Sequence, residues 1–183
     1  MRILISVFIL MFAIESFANF KYVADLKNSN VGFTIDQFGL GIVKGNFHNY
    51  EIRLIQENQR EFNVIATVNV KSLKTGNKTR DRHLQKIEFF NTKNYEYITF
   101  KTTKEVNFDS KYLTGELTLK GITSLIELPV TFNRVIKNDK ELITAHSHGF
   151  KLFRSEFNMT SYKRLISNSV ITKINVTFEK DDK

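Results

Sequence analysis

The stretch Arg80-Asp81-Arg82-His83 crowds two guanidiniums, a carboxylate and an imidazole into four positions. Arginine pairs bidentately with phosphate or carboxylate oxygens, and histidine donates or accepts a proton near neutral pH. The cluster could therefore grip an anionic head group or tie a helix to its scaffold. In the first role Arg80 holds a phosphate oxygen and His83 adds a hydrogen bond. In the second, the simpler reading, Arg80 and Asp81 form a buried or half-buried ion pair that fixes the helix against its scaffold, and His83 bonds to backbone. Residues adjacent on a helix point to different sides, so each needs a further partner, and Arg154 is the candidate for Asp81. A second cluster, His146-Ser147-His148, puts two imidazoles on one face of a strand. A metal would need a third ligand, and a serine hydrolase a positioned base and oxyanion donors; no motif supplies either. We therefore expect no catalytic residue, no metal and no cofactor.

The elements that must position these groups read as strands. Val31, Phe33 and Ile35 alternate with polar residues, as do Ile126, Leu128, Val130 and Phe132, and Val170, Ile174, Val176 and Phe178. A period of two marks a strand with one buried face. The pattern predicts strands over 20–27, 30–37, 42–55, 62–71, 95–108, 111–120, 124–133, 141–153 and 169–179. Only Lys78 to Ile87 reads as a helix, capped by Asn77. Turn residues fall at 36–41, 56–61, 109–110 and 138–139. Pro129 sits inside a predicted strand, where its missing N–H requires an edge or an irregularity. Long antiparallel strands with short connections favour a closed barrel, because closure removes exposed edges. About eight strands enclose an interior that is either packed solid or holds one ligand. Pattern and composition alone favour the packed interior.

Residues 72–90 carry more specific information. Ser72, Thr75, Arg80, Asp81, His83, Leu84, Phe89 and Phe90 resemble the central motif of the YceI family. The likeness extends through Tyr22, Asp25, Ser29, Val31 and Phe33, then Gly45 and Phe47, the run Gly115 to Thr123, and Arg154-Ser155-Glu156-Phe157. Asn28 and Gln37 stand where the family commonly has histidine, and Asn158 replaces a glycine. Asparagine tolerates positive φ better than most residues, so that turn should survive. The resemblance implies an elongated, antiparallel, lipocalin-like β-barrel that binds a polyisoprenoid or similar long-chain amphiphile. On that basis the chain is expected to be a lipid carrier; a solid-cored barrel acting as a stress-related or membrane-surface module is the alternative.

Arg2, the apolar run Ile3 to Ile14 and Ser16-Phe17-Ala18 form a secretory signal peptide with cleavage expected after Ala18. The barrel would then span residues 19–183 as one domain in the periplasm. No cysteine is present, which suits an exported chain large enough to fold without disulfides. Lys+Arg number 27 against 19 Asp+Glu. From Lys71 to Lys93 seven basic residues face two acidic ones, a patch read first as a solvated face and second as a transient dock for an anionic membrane. Export argues against nucleic acid. Pairing of two copies is left open.

Removing Phe8, Phe12 and Phe17 with the signal leaves fourteen of the 17 phenylalanines in the mature chain. Such rings suit a dry core or the wall of a lipid tunnel. Alternation selects the wall as Val31, Phe33, Ile35, Val64, Val68, Ile98, Phe100, Leu117, Leu119, Leu128, Val130, Phe132, Leu152, Ile174 and Val176. Arg80, Asp81, His83 and Arg154 are the expected head-group or helix-anchoring residues.

Overall fold

The computed structural model describes residues 21–56, 61–137 and 140–181. The predicted signal peptide, 1–18, and the centres of the predicted turns at 56–61 and 138–139 lie outside the described residues. Twelve antiparallel strands form one sheet: β1 (Lys21–Ala24), β2 (Asn30–Gln37), β3 (Gly41–Phe47), β4 (Tyr50–Gln56), β5 (Phe62–Asn69), β6 (Leu73–Lys74), β7 (Tyr97–Thr102), β8 (Tyr112–Leu119), β9 (Ile122–Pro129), β10 (Thr131–Lys137), β11 (Lys140–Phe153) and β12 (Ile166–Lys180). Among the described residues the single α-helix, α1, is Lys78–Leu84.

Twelve segments stand where nine strands were predicted, because 42–55 divides into β3 and β4, 124–133 into β9 and β10, and β6 follows 62–71 as a separate piece; joined end to end they make about eight strands. The pairing joins β1 with β2, β3 with β4, β5 with β6, and β9 with β10 into bent strands. β12 pairs with both β2 and β1 along one edge and with β11 along the other. Next, β2 and β1 pair with β3 and β4, which pair in turn with β6 and β5. β7, β8 and β9 follow in order, and β10 returns to β11. The path is an up-and-down barrel closed by β12.

Three of the four breaks have an identifiable local cause. Between β1 and β2 the Asp25 carboxylate accepts from Lys27 N at 2.9 Å and Asn28 Nδ2 at 2.6 Å, an Asx turn that competes with the ladder. Between β5 and β6, Asn69 Oδ1 caps a 3-10 turn at Lys71 N and Ser72 Oγ donates to Asn69 O. The predicted strand 124–133 breaks at Val130, directly after Pro129; Val130 N still donates to Lys111 O at 2.9 Å, so the missing proline N–H falls on the side away from β8, where pairing with β11 begins only at Thr131. The predicted strand 95–108 shortens to β7. Beyond it Val106 forms an isolated bridge to Phe62, with Phe62 N to Val106 O at 2.8 Å and Val106 N to Phe62 O at 3.0 Å.

The predicted cap holds. Asn77 Oδ1 accepts from Thr79 N and Arg80 N, each at 3.0 Å, and satisfies two of the four free N–H groups at the start of α1. α1 ends at Leu84, three residues before the expected boundary, and the chain turns back with Phe90 N donating to Leu84 O. Asn158 adopts φ 53°, ψ 30°, the left-handed conformation expected of it.

Candidate ligand-binding site: the barrel cavity

Alternation along every strand turns one row of apolar side chains inward, and these do not meet at the centre. They surround a cavity of about 260 Å³, against about 10–15 Å³ for a single water. All fifteen residues selected from the sequence line it: Val31, Phe33 and Ile35; Val64 and Val68; Ile98 and Phe100; Leu117 and Leu119; Leu128, Val130 and Phe132; Leu152; Ile174 and Val176. On β12 the lining runs from Ile166 to Phe178, a strand length of about 40 Å, or roughly 30 Å along the axis of a barrel with tilted strands. The shape is a tunnel rather than a pocket.

Two glycines let aromatic rings lie flat in this wall. A Cβ on Gly45 would sit 2.5 Å from the Phe33 ring, and one on Gly115 would sit 2.6 Å from the Phe100 ring. Both rings therefore occupy volume that any other residue would take from them. Gly149, at φ 76°, opens a bulge between His148 and Lys151 that shifts the parity of β11. Ser147 faces the cavity on one side of the bulge, and Phe150 and Leu152 face it on the other. Sequence alternation placed Leu152 in the wall but missed Ser147 and Phe150, because a one-residue bulge leaves no periodic trace.

Ser147 Oγ and Thr172 Oγ1 are buried without a hydrogen-bond partner, and both residues line the tunnel. Ser147 lies opposite Ile174, so Thr172, two residues earlier on the same face, is its diagonal neighbour at a Cα separation of about 7–8 Å. Each buried, unpaired hydroxyl costs about 1–3 kcal/mol. With His146, Gln37, Arg80 and Arg154 they are the polar side chains of a mostly apolar wall.

At one end, Thr75 organises the Arg-Asp motif. Asp81 is buried, and its Oδ1 accepts from Thr75 N at 2.9 Å and from Thr75 Oγ1 at 2.6 Å. Arg80 Nε donates to Thr75 Oγ1 at 2.8 Å and Arg80 Nη2 to Thr75 O at 2.9 Å. The adjacent side chains thus converge on one threonine instead of forming an ion pair with each other. Arg80 also lines the tunnel, whereas Asp81 and His83 do not. The expected Arg154–Asp81 pair is absent. Arg154, 4% exposed, donates instead to four carbonyls: Nε to Ser167 O at 2.9 Å, Nη1 to Met159 O at 2.6 Å and Ser161 O at 2.7 Å, and Nη2 to Ile166 O at 3.1 Å. Burial lowers its pKa, yet a guanidinium stays charged in proteins. Among the described residues the His83 imidazole bonds no backbone group. It meets Phe89 and Tyr162 edge-on at 5.2 and 5.6 Å, with Nε2 3.4 Å from Tyr162 Oη. Gln37, at a position commonly histidine in the resembling family, lines the tunnel beside Ile166, its partner in the ladder.

The His146–His148 pair shares a face as expected, and both imidazoles point at one oxygen. Asn175 Oδ1 lies 2.8 Å from His146 Nδ1 and 2.7 Å from His148 Nε2. Among the described residues no group of three metal-ligating His, Cys, Asp or Glu side chains occurs. Ser147 has no base within hydrogen-bond reach. At the opposite end of the barrel Tyr22 Oη donates to Glu141 Oε2 at 2.6 Å, and Glu141 also pairs with Arg134. Burial and this hydrogen bond push the Tyr22 hydroxyl up to about 12. Burial alone would raise the Glu141 carboxyl, but the bonds from Tyr22 and Arg134 outweigh it and hold the group below its usual range.

Residues 22–179 match the YceI-like domain. The chain belongs to the YceI family. It is 31% identical over 166 residues to the UPF0312 protein of Staphylococcus aureus strain USA300, covering 88% of this chain and 94% of that one. The crystal structure of the Campylobacter jejuni YceI protein is similar at a TM-score of 0.67 and 30% identity, covering 77% of this chain and 86% of that one. A polyisoprenoid binding domain from Saccharophagus degradans shares the fold at a TM-score of 0.69 and 14% identity, covering 87% and 98%. The YceI barrel is lipocalin-like, and its family and cavity mark this chain as a binding protein.

Proposed function

We propose that this YceI-family protein is a periplasmic carrier that holds a polyisoprenoid or similar long-chain amphiphile in its barrel, without catalysing a reaction. The observation that carries this reading is the largely apolar cavity, whose lining on β12 spans about 30 Å along the barrel axis. A hydrophobic chain buries about 0.8 kcal/mol per CH₂ against water. A bilayer gives the same gain, so transfer between membrane and barrel is close to neutral and the carrier lowers the cost of crossing water. The Saccharophagus degradans neighbour is described as a polyisoprenoid binding domain, which supports the ligand class. The predicted signal peptide supports export, and fractionation of cells expressing the chain with and without residues 1–18 tests it.

Arg80 is the head-group candidate because it borders the tunnel with two of its donors committed to Thr75 and a guanidinium carries five. Asp81 shares Thr75 with it, while Arg154 and His83 hold the neighbouring 159–167 loop. Titrating delipidated protein with a polyprenyl phosphate and with a fatty acid, followed by intrinsic or displaced-probe fluorescence, tests the reading. Val130→Trp fills the tunnel and should abolish saturable binding while the barrel still melts cooperatively. Equal binding by wild type and V130W would place the ligand elsewhere.

A further inference from the structure

We propose that the Arg80 end of the barrel docks on an anionic lipid bilayer by inserting the β2–β3 hairpin tip, an inference that rests on the carrier reading. The tip exposes Phe38, Leu40 and Ile42 at 52, 78 and 69%. Phe38 N donates to Leu165 O at 3.1 Å, which brings Leu165, 55% exposed, alongside. None of these side chains is packed against the core, and each keeps at least about half of its surface in water. Their neighbours Gln37 and Ile166 line the tunnel, so the apolar tip stands at its rim.

Charge says what covers this patch. Lys163 and Arg164 are exposed in the same loop as Leu165. Tyr162, one residue earlier, contacts His83 and stacks on Phe89 at 5.7 Å, which ties the loop to α1 and its exposed Lys78 and Arg82. The acidic Asp36, exposed beside the tip, is outnumbered. Apolar side chains projecting from a basic rim match a bilayer of anionic lipid, in which the tip enters the acyl region and the cations meet phosphates. The tunnel rim would then open toward the membrane, and a chain could pass between the two without meeting water.

A second exposed apolar group, Val135, Ile136 and Leu142, belongs to the β10–β11 hairpin at the opposite end of the barrel, as the pairing of Ile143 with Phe178 requires. It serves as the control. Sedimentation with phosphatidylglycerol/phosphatidylcholine vesicles, and with pure phosphatidylcholine, is measured for wild type, Phe38→Ser/Leu40→Ser, Lys163→Gln/Arg164→Gln and Ile136→Ser. The tip variant should bind the anionic vesicles at least about tenfold more weakly at every salt concentration. The charge variant should lose about tenfold at low salt and little at high salt. I136S should bind as wild type, and pure phosphatidylcholine should bind every form more weakly. Wild-type indifference to phosphatidylglycerol, wild-type affinity in the tip variant, or loss of binding in I136S alone would each overturn the proposal. The altered side chains are exposed, and unchanged thermal midpoints verify the folds. Guest content by mass spectrometry separates the two readings: docking by a barrel that never holds a guest sinks the carrier and spares the dock, and a loaded barrel that ignores vesicles does the reverse.

Discussion

Replacing Arg154 should be among the most damaging single changes available in this chain. Its guanidinium satisfies four carbonyls, those of Met159, Ser161, Ile166 and Ser167, and so clamps the loop entering β12 to the 3-10 turn that leaves β11. In Arg154→Met the aliphatic stem persists but all four acceptors lose their donor. Each buried acceptor left unpaired costs about 1–3 kcal/mol; water reaching the loop from the rim relieves part of this, which puts the net loss at about 3–5 kcal/mol. Arg154→Lys keeps the charge, but an ammonium has three donors on a single atom and cannot span the fork, so it should still cost about 2 kcal/mol. Urea denaturation of both variants gives these values from midpoint shifts at constant slope. Hydrogen exchange should show early loss of protection over 158–168, ahead of the β4–β5 ladder. A loss below about 1 kcal/mol in R154M would refute the clamp, and so would unchanged exchange in that loop.

Four other outcomes follow from named contacts. Ser147→Ala and Thr172→Val each remove an unpaired hydroxyl from the tunnel wall and should raise the stability of the empty barrel by about 1 kcal/mol in urea denaturation; destabilisation would mean the hydroxyls are bonded. Gly45→Val drives a side chain into the Phe33 ring and should cost about 1–3 kcal/mol, with a parallel loss of tunnel binding; a neutral result would contradict the ring placement. Thr75→Val removes the hydroxyl that Asp81 and Arg80 share, leaves a buried carboxylate short of a donor, and should cost about 2–3 kcal/mol in urea denaturation. Glu141 titrates below its unfolded value, so its stabilisation is complete above the ordinary carboxylate range and disappears as pH falls through the lowered pKa. Tyr22 has the opposite sign: its contribution is whole below 10 and is lost as pH rises through about 12. A Tyr22→Phe variant should show a smaller alkaline loss than wild type in a pH series of melting curves, the remainder coming from Tyr50, whose hydroxyl burial also pushes up.

The wall was legible because it is periodic. Val31, Phe33 and Ile35 alternate without interruption, and both faces of an unbroken strand are fixed once one residue is placed. Pro129 and Asn158 were legible because each carries a backbone constraint of its own. Ser147 was not, since the parity change at Gly149 comes from a single φ and hides inside a run that otherwise alternates. The hollow interior was not legible either: Phe33 and Phe100 have the same pattern in a packed core, and the space depends on how far apart eight strands hold them. Asp81 and Arg80 were expected to diverge from neighbouring helix positions. They converge because both reach back to Thr75, which precedes the helix, and no local periodicity encodes a contact made outside the element.

One long-chain guest should occupy the barrel along its length. Native mass spectrometry of the purified protein, with organic extraction of the same sample, measures this directly. A second mass of one long-chain amphiphile per chain is expected, recovered in the extract and absent from Val130→Trp. A single peak at the bare polypeptide mass, unchanged after incubation with polyprenyl phosphate or fatty acid, would contradict it.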